Sequence, residues 1–197
     1  MKRMIKALAA VMVCALMLFM TACGEKSAEF EHGTVSGTSY TSKFLGLKAD
    51  LGSGWTFLTD SELASANGVS DMTASSVKSA FDKKGVGVIM EMMATKQGGD
   101  SVNITVQSYS NKSVPSEDAY FDLIKEQYSK LNTNASFGRI TFLGKSVRCV
   151  DLSVSVLGVT AYETQIPIFK GDYIACVTFS SAKKENLKSL IDSFKAA

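Results

Sequence analysis

The side chains able to do chemistry are few and scattered. His32 is the only histidine in 197 residues. It lies in residues 24–39, a stretch of Glu, Lys, Ser, Gly and Thr in which Phe30 and Val35 are isolated apolar positions and no helical or strand period runs. Such a stretch reads as a flexible tether. General-base and zinc chemistry both lean on imidazole, so a lone one in the tether leaves the body without either. Ser–His–Asp and Cys–His arrangements are excluded on the same ground. Carboxylates remain, but Glu91, Asp151 and Glu163 fall at strand positions, where a solvated or hydrogen-bonded acid is commoner than a working acid–base pair. No catalytic residue, cofactor-binding residue or metal ligand is assigned, and no cofactor is expected. No phosphate-cradling Gly loop, calcium loop or internal repeat is present.

The first 23 residues carry a different kind of chemistry. Lys2, Arg3 and Lys6 form a cationic head, followed by an apolar run from Ala7 to Met20. A run of that length is short of the roughly 20 residues a membrane-spanning helix needs. It ends in Met20-Thr21-Ala22-Cys23-Gly24. Cation, short apolar core and small residues before a cut site make a secretory signal. The small-small-Cys ending resembles the lipobox of bacterial lipoproteins, which implies cleavage before Cys23 and a lipid on its sulfur. The expected organisation is a signal peptide over 1–22, the lipidated Cys23 with its tether over 23–39, and one folded domain over 40–197. Of the 21 Lys and Arg, three sit in the signal, leaving 18 against 19 Asp and Glu. A body with a net charge near −1 is unlike the clustered basic surface of a nucleic-acid binder.

The elements that position these residues can be read from period and punctuation. Leu45, Leu47, Ala49 and Leu51 alternate as a half-buried strand, and Trp55 and Phe57 follow a Gly-Ser-Gly turn. Thr59 and Glu62 have capping-box spacing for a short helix stopping near Gly68. A second helix is expected over 72–84, with Gly85 past its end. Val86, Val88, Met90 and Met92 share one face of the next strand in this reading, with Ile89 and Met93 on the other. Gln97-Gly98-Gly99-Asp100 is a hairpin signal leading to Val102, Ile104 and Val106. Ser116 caps the clearest helix, whose stripe is Tyr120, Leu123, Ile124, Gln127, Tyr128 and Leu131. Four short strands follow, turning at Gly144, Gly158 and Lys170-Gly171-Asp172. Pro167 cannot donate to a ladder, so a bulge or an edge is expected there. A last helix carries Leu187, Leu190, Ile191 and Phe194.

Short turns require antiparallel neighbours. The fold class is therefore α+β: an antiparallel sheet of about six or seven strands flanked by helices. With Tyr40…Phe44-Leu45-Gly46-Leu47…Gly54-Trp55 leading in and a meander plus helix closing it, this order resembles the PsbP-like α/β/α sandwich of small exported bacterial lipoproteins. The resemblance spans about residues 40–196. It implies a protein that assists or binds larger complexes, and it transfers no functional residue.

Cys149 and Cys176 fall on the second and fourth strands of the meander. An intervening strand separates them by about 9–10 Å, beyond the roughly 7 Å that a disulfide tolerates. Free, helix-covered thiols are expected, with pairing as the alternative. Met90, Met92 and Met93 read as core filler rather than a docking surface. Tyr109, Tyr120, Tyr128, Tyr162 and Tyr173 fit either a groove or half-buried sheet positions. Lys183, Lys184 and Lys188 read as a solvated face.

The sequence thus leads to a non-catalytic binding or accessory module. It is held to the cell membrane by lipid on Cys23, on the extracytoplasmic side, with a protein of the envelope as its possible partner. The alternatives are a hydrolase of envelope polymers using paired carboxylates, and an assembly factor docking on a membrane complex.

Overall fold

The computed structural model of the chain describes residues 29–84, 87–109, 113–131, 134–156 and 159–197. Its centre is a seven-stranded sheet made of β4 (Trp55–Phe57), β5 (Val88–Lys96), β6 (Ser101–Ser108), β7 (Asn134–Phe142), β8 (Lys145–Val156), β9 (Val159–Lys170) and β10 (Tyr173–Ser181). The strand order is β4-β5-β6-β10-β9-β8-β7, and every neighbouring pair is antiparallel. A second, four-stranded sheet joins β1 (Thr34–Ser36), β2 (Ser39–Ser42), β3 (Leu47–Asp50) and β11 (Phe194–Ala196) in the order β1-β2-β3-β11. Helices α1 (Asp60–Asn67), α2 (Ala74–Lys84), α3 (Glu117–Lys130) and α4 (Asn186–Asp192) complete the α+β fold.

Alternation assigns the two faces of the large sheet. Val102, Ile104, Val106, Ala175, Val177, Phe179 and Ile166 point to one side, where they pack with Tyr40 and Leu47 of the small sheet, Leu63 of α1, Val77 and Phe81 of α2, and Leu190 of α4. Val150, Leu152 and Ile174 point to the other side, beneath Tyr120, Phe121, Ile124 and Tyr128 of α3. The result is three layers with the large sheet in the middle.

Local chemistry explains the boundaries. Thr59 and Glu62 close the capping box at α1: the Thr59 N–H donates to the Glu62 carboxylate at 2.8 Å, and the Glu62 N–H donates to Thr59 Oγ1 at 3.3 Å. Ser116 Oγ accepts from the Ala119 N–H at 3.2 Å and caps α3, whose first turn carries Glu117 and Asp118. The β7–β8 turn uses Leu143 and Gly144, both at positive φ (50° and 77°), the two-residue geometry that matches strand twist.

Several expectations change. The strand read from Leu45 begins at Leu47, the helix read from Met72 begins at Ala74, and Phe194 lies in β11 rather than in the last helix. Leu131, placed on the apolar stripe of α3, is 59% exposed, and Phe121 is buried in its stead. Pro167 is in an interior strand, yet the β8–β9 ladder runs only from Val150↔Gln165 to Val156↔Val159. Pro167 therefore lies beyond its end, where no donor is needed on that side. Gly85, Val86, Asn132 and Gly158 lie outside the described residues.

The largest correction concerns residues 29–39. They do not behave as a tether up to Tyr40. Phe30 is buried, β1 pairs with β2 in register Thr34↔Thr41 to Ser36↔Ser39, and Ser39 already belongs to β2. The folded body includes the chain from Glu29 onward.

Candidate functional site

The most concentrated polar chemistry sits where residues 29–33 cross the large sheet. The β5–β6 register shifts between Met90 and Met92. A bulge of this kind inserts one residue and re-aims its side chain, and here the inserted residue is Glu91. Its side chain is fully shielded from solvent. Glu91 Oε1 accepts from the Gly33 N–H at 2.6 Å and from the Tyr40 hydroxyl at 2.9 Å. Glu91 Oε2 lies 2.8 Å from His32 Nδ1, and the other ring nitrogen of His32 is 3.4 Å from Asp60 Oδ1 at the start of α1.

Each contact has a local cause. A Cβ on Gly33 would fall 2.5 Å from the Tyr40 hydroxyl oxygen, so only glycine lets the backbone N–H reach the carboxylate past the ring. Phe30, two residues before His32, fills an aromatic pocket edge-on to Phe44 (5.3 Å) and Phe81 (6.0 Å), with Tyr173 at 6.3 Å. The segment is thus pinned twice, once by an aromatic ring and once by a buried carboxylate.

Electrostatics favour an imidazolium. Burial alone lowers the pKa of His32, but the hydrogen bond and charge of Glu91, then those of Asp60, outweigh it and raise the group above 6.5. Both neighbours are carboxylates that only accept when ionised, so both ring nitrogens donate only when the ring is protonated. Burial, followed by the Glu91 charge, pushes the Tyr40 hydroxyl far above its usual range, so it stays a donor. Glu91 is sealed beneath this cluster and presents no oxygen to a substrate. What the arrangement does is hold the segment before β1 against the body through charge-assisted hydrogen bonds.

One sequence expectation is corrected here: His32 is not in a free tether. Of the two readings left open for Glu91, solvated or hydrogen-bonded, the structure shows the hydrogen-bonded one. The bulge is the reason: strict alternation puts Glu91 opposite Met90 and Met92, whereas the inserted residue turns its carboxylate toward Tyr40 while Ile89 and Met92 remain in the core.

Glu163 is buried rather than solvated. It is 2% exposed, and its Oε2 has no hydrogen-bond partner among the described residues. Burial pushes its carboxyl up to about 7, against the opposing bonds of Gln165 and Ser180. Its neighbour Gln165 accepts from the Tyr128 hydroxyl at 2.8 Å. Asp151 is half-buried and accepts from the Thr164 hydroxyl at 2.6 Å. The three acids do not converge on one cleft: Glu91 faces Tyr40 on one side of the sheet, and Glu163 lies with Gln165 and Tyr128 on the other.

Cys149 and Cys176 are free and buried. Cys149 packs in the core shared with the small sheet, while Cys176 lies beneath α3, where burial first and the nearby Cys176 second push the Tyr120 and Tyr128 hydroxyls up. They lie on opposite faces of the sheet, a stronger barrier to pairing than the intervening strand. Only Cys176 has the helix cover expected of both. Burial pushes the Cys149 thiol up to about 11 and the Cys176 thiol up to about 12. The tyrosines line no common groove: Tyr120 and Tyr128 of α3 pack with Tyr109 on one side of the large sheet, and Tyr173 and Tyr162 pack on the other. Met92 and Met93 are buried, as core filler should be. Lys188 pairs with Asp192 one turn on, and Lys183 and Lys184 are exposed. Cys23 lies outside the described residues.

A cavity of about 330 Å³ is bordered by Trp55, Lys96, Asp100 and Asn186, with Asp100 held by the Ser181 hydroxyl at 2.5 Å and by the Asn186 amide at 3.3 Å. Among the described residues no three His, Cys, Asp or Glu side chains are placed to hold a metal ion, and no helix is long and apolar enough to cross a membrane. In comparisons with known proteins, no family model matches the chain and no curated protein matches it.

Proposed function

We propose that this chain is a lipid-anchored, extracytoplasmic binding or accessory module without catalytic activity. The observation that carries the reading is the use made of its one imidazole. His32 and the sealed Glu91 are committed to seating the segment that leads from Cys23 into the body. A base held between two carboxylates, one of them unreachable from solvent, serves position rather than turnover. The hydrolase alternative needs two carboxylates facing one open cleft, and Asp60 and Glu91, the pair that His32 joins, include a buried member. The PsbP-like assignment belongs to this proposal too, supported by the α+β element order.

Seating changes the mechanical expectation. A tether ending near residue 40 would allow about 50 Å of reach, whereas the six residues from Cys23 to Glu29 span at most about 20 Å. A body anchored at Cys23 works next to the bilayer. Two acyl chains make such an anchor stable where one does not, and the diacylglyceryl group implied by the lipobox supplies two. Cys23→Ala should therefore shift the protein from the membrane pellet to the soluble fraction on cell fractionation. A variant that stays in the pellet refutes the anchor.

A further inference from the structure

Sheet edges are where chains join, and native proteins shorten, charge or kink them to prevent it. Of the four sheet edges among the described residues, three are only three residues long: β1, β4 and β11. The fourth, β7, runs nine residues, Asn134–Phe142, with unbroken register against β8. It has no proline, no lysine and no bulge, and Arg139 is its only charge. Among the described residues nothing pairs with its outer side.

Gly138 stands at the centre of this strand. A mid-strand glycine weakens a sheet, and it commonly marks a bulge or the close approach of another backbone. Here the register is regular, φ is not positive, and a Cβ at Gly138 would meet nothing within 4 Å. Nothing inside the molecule requires this glycine.

We infer that β7 is the site of a two-fold contact between two copies of this chain, antiparallel β7 on β7 with the axis at Gly138. Backbone parity fits. The two-residue turn at Leu143-Gly144 makes Phe142↔Lys145 a hydrogen-bonded pair, so Phe142, Ile140, Gly138, Ser136 and Asn134 direct their N–H and C=O toward β8. Ala135, Phe137, Arg139 and Thr141 direct theirs outward. An axis at Gly138 sets Ala135 opposite Thr141 and Phe137 opposite Arg139, matching outward groups with outward groups in about eight new backbone hydrogen bonds. Gly138 then meets its own copy at the narrow, non-hydrogen-bonded spacing of about 4.5 Å, where the absence of a side chain is useful.

Side chains agree with the same axis. Arg139 meets the Phe137 ring of the other copy rather than a second arginine, and a guanidinium over an aromatic face is attractive. Lys125, already 5.5 Å from the Phe137 ring, has its own counter-ion in Asp122 at 3.6 Å. An axis at Arg139 would oppose two like charges. The axis at Gly138 is the one that pairs all nine residues.

Cysteine scanning in membranes of cells producing the full chain tests this. Under mild oxidation Gly138→Cys should form a covalent dimer well above the wild-type background. Ser136→Cys and Thr141→Cys, set about 14 Å and 20 Å from their own copies, should not. Failure of Gly138→Cys to dimerise, equal yields at all three positions, or capture of a different protein at Gly138→Cys would each overturn the inference. Sedimentation of the detergent-solubilised wild-type chain should give a dimer. Arg139→Pro, which removes an outward N–H from an edge that tolerates proline, should give a monomer with unchanged far-UV circular dichroism. A wild-type monomer at the highest attainable concentration would also overturn it.

Discussion

Replacing His32 by Ala leaves Glu91 buried with two donors in place of three, the Gly33 amide and the Tyr40 hydroxyl. Losing a charged partner of a buried carboxylate costs about 1.5–3 kcal/mol. His32→Ala should therefore lower the urea midpoint without changing the slope m, and a midpoint unchanged at pH 6 would contradict the seating role. Legibility was poorest at this scale. The sequence names His32 and Glu91 but does not join them, because 59 residues separate them and the bulge that aims Glu91 inward has no signature in an apolar run. A hint was present: Phe30, His32 and Gly33 are unusual company for a featureless tether. Glu163 escaped for a related reason, since alternation assigns its face but not whether α3 leaves that face wet.

Among the elements, helix ends were read most accurately. The capping box at Thr59 and the Ser116 cap occur where their spacing placed them, because capping is decided by residues three apart. Strand faces read well in β6 and β10 and failed in β5, where one added residue reverses the alternation. The segment before β1 is the least anticipated element and also the most separable one. Its grip on the body rests on Phe30 and on the Glu91 cluster. Phe30→Ala removes the ring from its pocket at a cost of about 3 kcal/mol. Amide hydrogen exchange should then quicken across residues 29–36 while β6 and β10 stay protected; uniform quickening would mean that the segment is integral to the global core. Where a third partner on Glu91 is also removed, in the His32→Ala and Phe30→Ala double variant, non-additivity is expected because both substitutions release one segment.

At the scale of the whole molecule, two groups set the pH dependence and act in the same direction. The folded pKa of His32 is raised, so its contribution is fully present below the unfolded value of 6.5 and is lost as pH rises through the folded value. The carboxyl of Glu163 is raised from 4.5 to about 7. It is neutral in both states at low pH, and ionising it in the interior costs stability as pH rises from about 4.5 to 7, on the order of 3 kcal/mol in total. The unfolding free energy should fall between pH 5 and pH 8. Glu163→Gln should flatten that fall, leaving the His32 component above pH 6.5. A wild-type profile that rises over this range would refute both assignments. The α+β class was legible because short turns dictate antiparallel neighbours. The second sheet was not, since β1 and β11 are three residues each and draw their partners from distant parts of the chain.

The sulfurs of Cys149 and Cys176, embedded on opposite sides of one sheet, make a pair of independent reporters. A thiol-reactive probe added during slow denaturation marks whichever layer opens first. If the helical cover lifts before the double-sheet side, sulfur 176 acquires the label while 149 is still dark; the reverse order places the weaker seam between the sheets. The chain carries its own stopwatch for the sequence in which its layers separate.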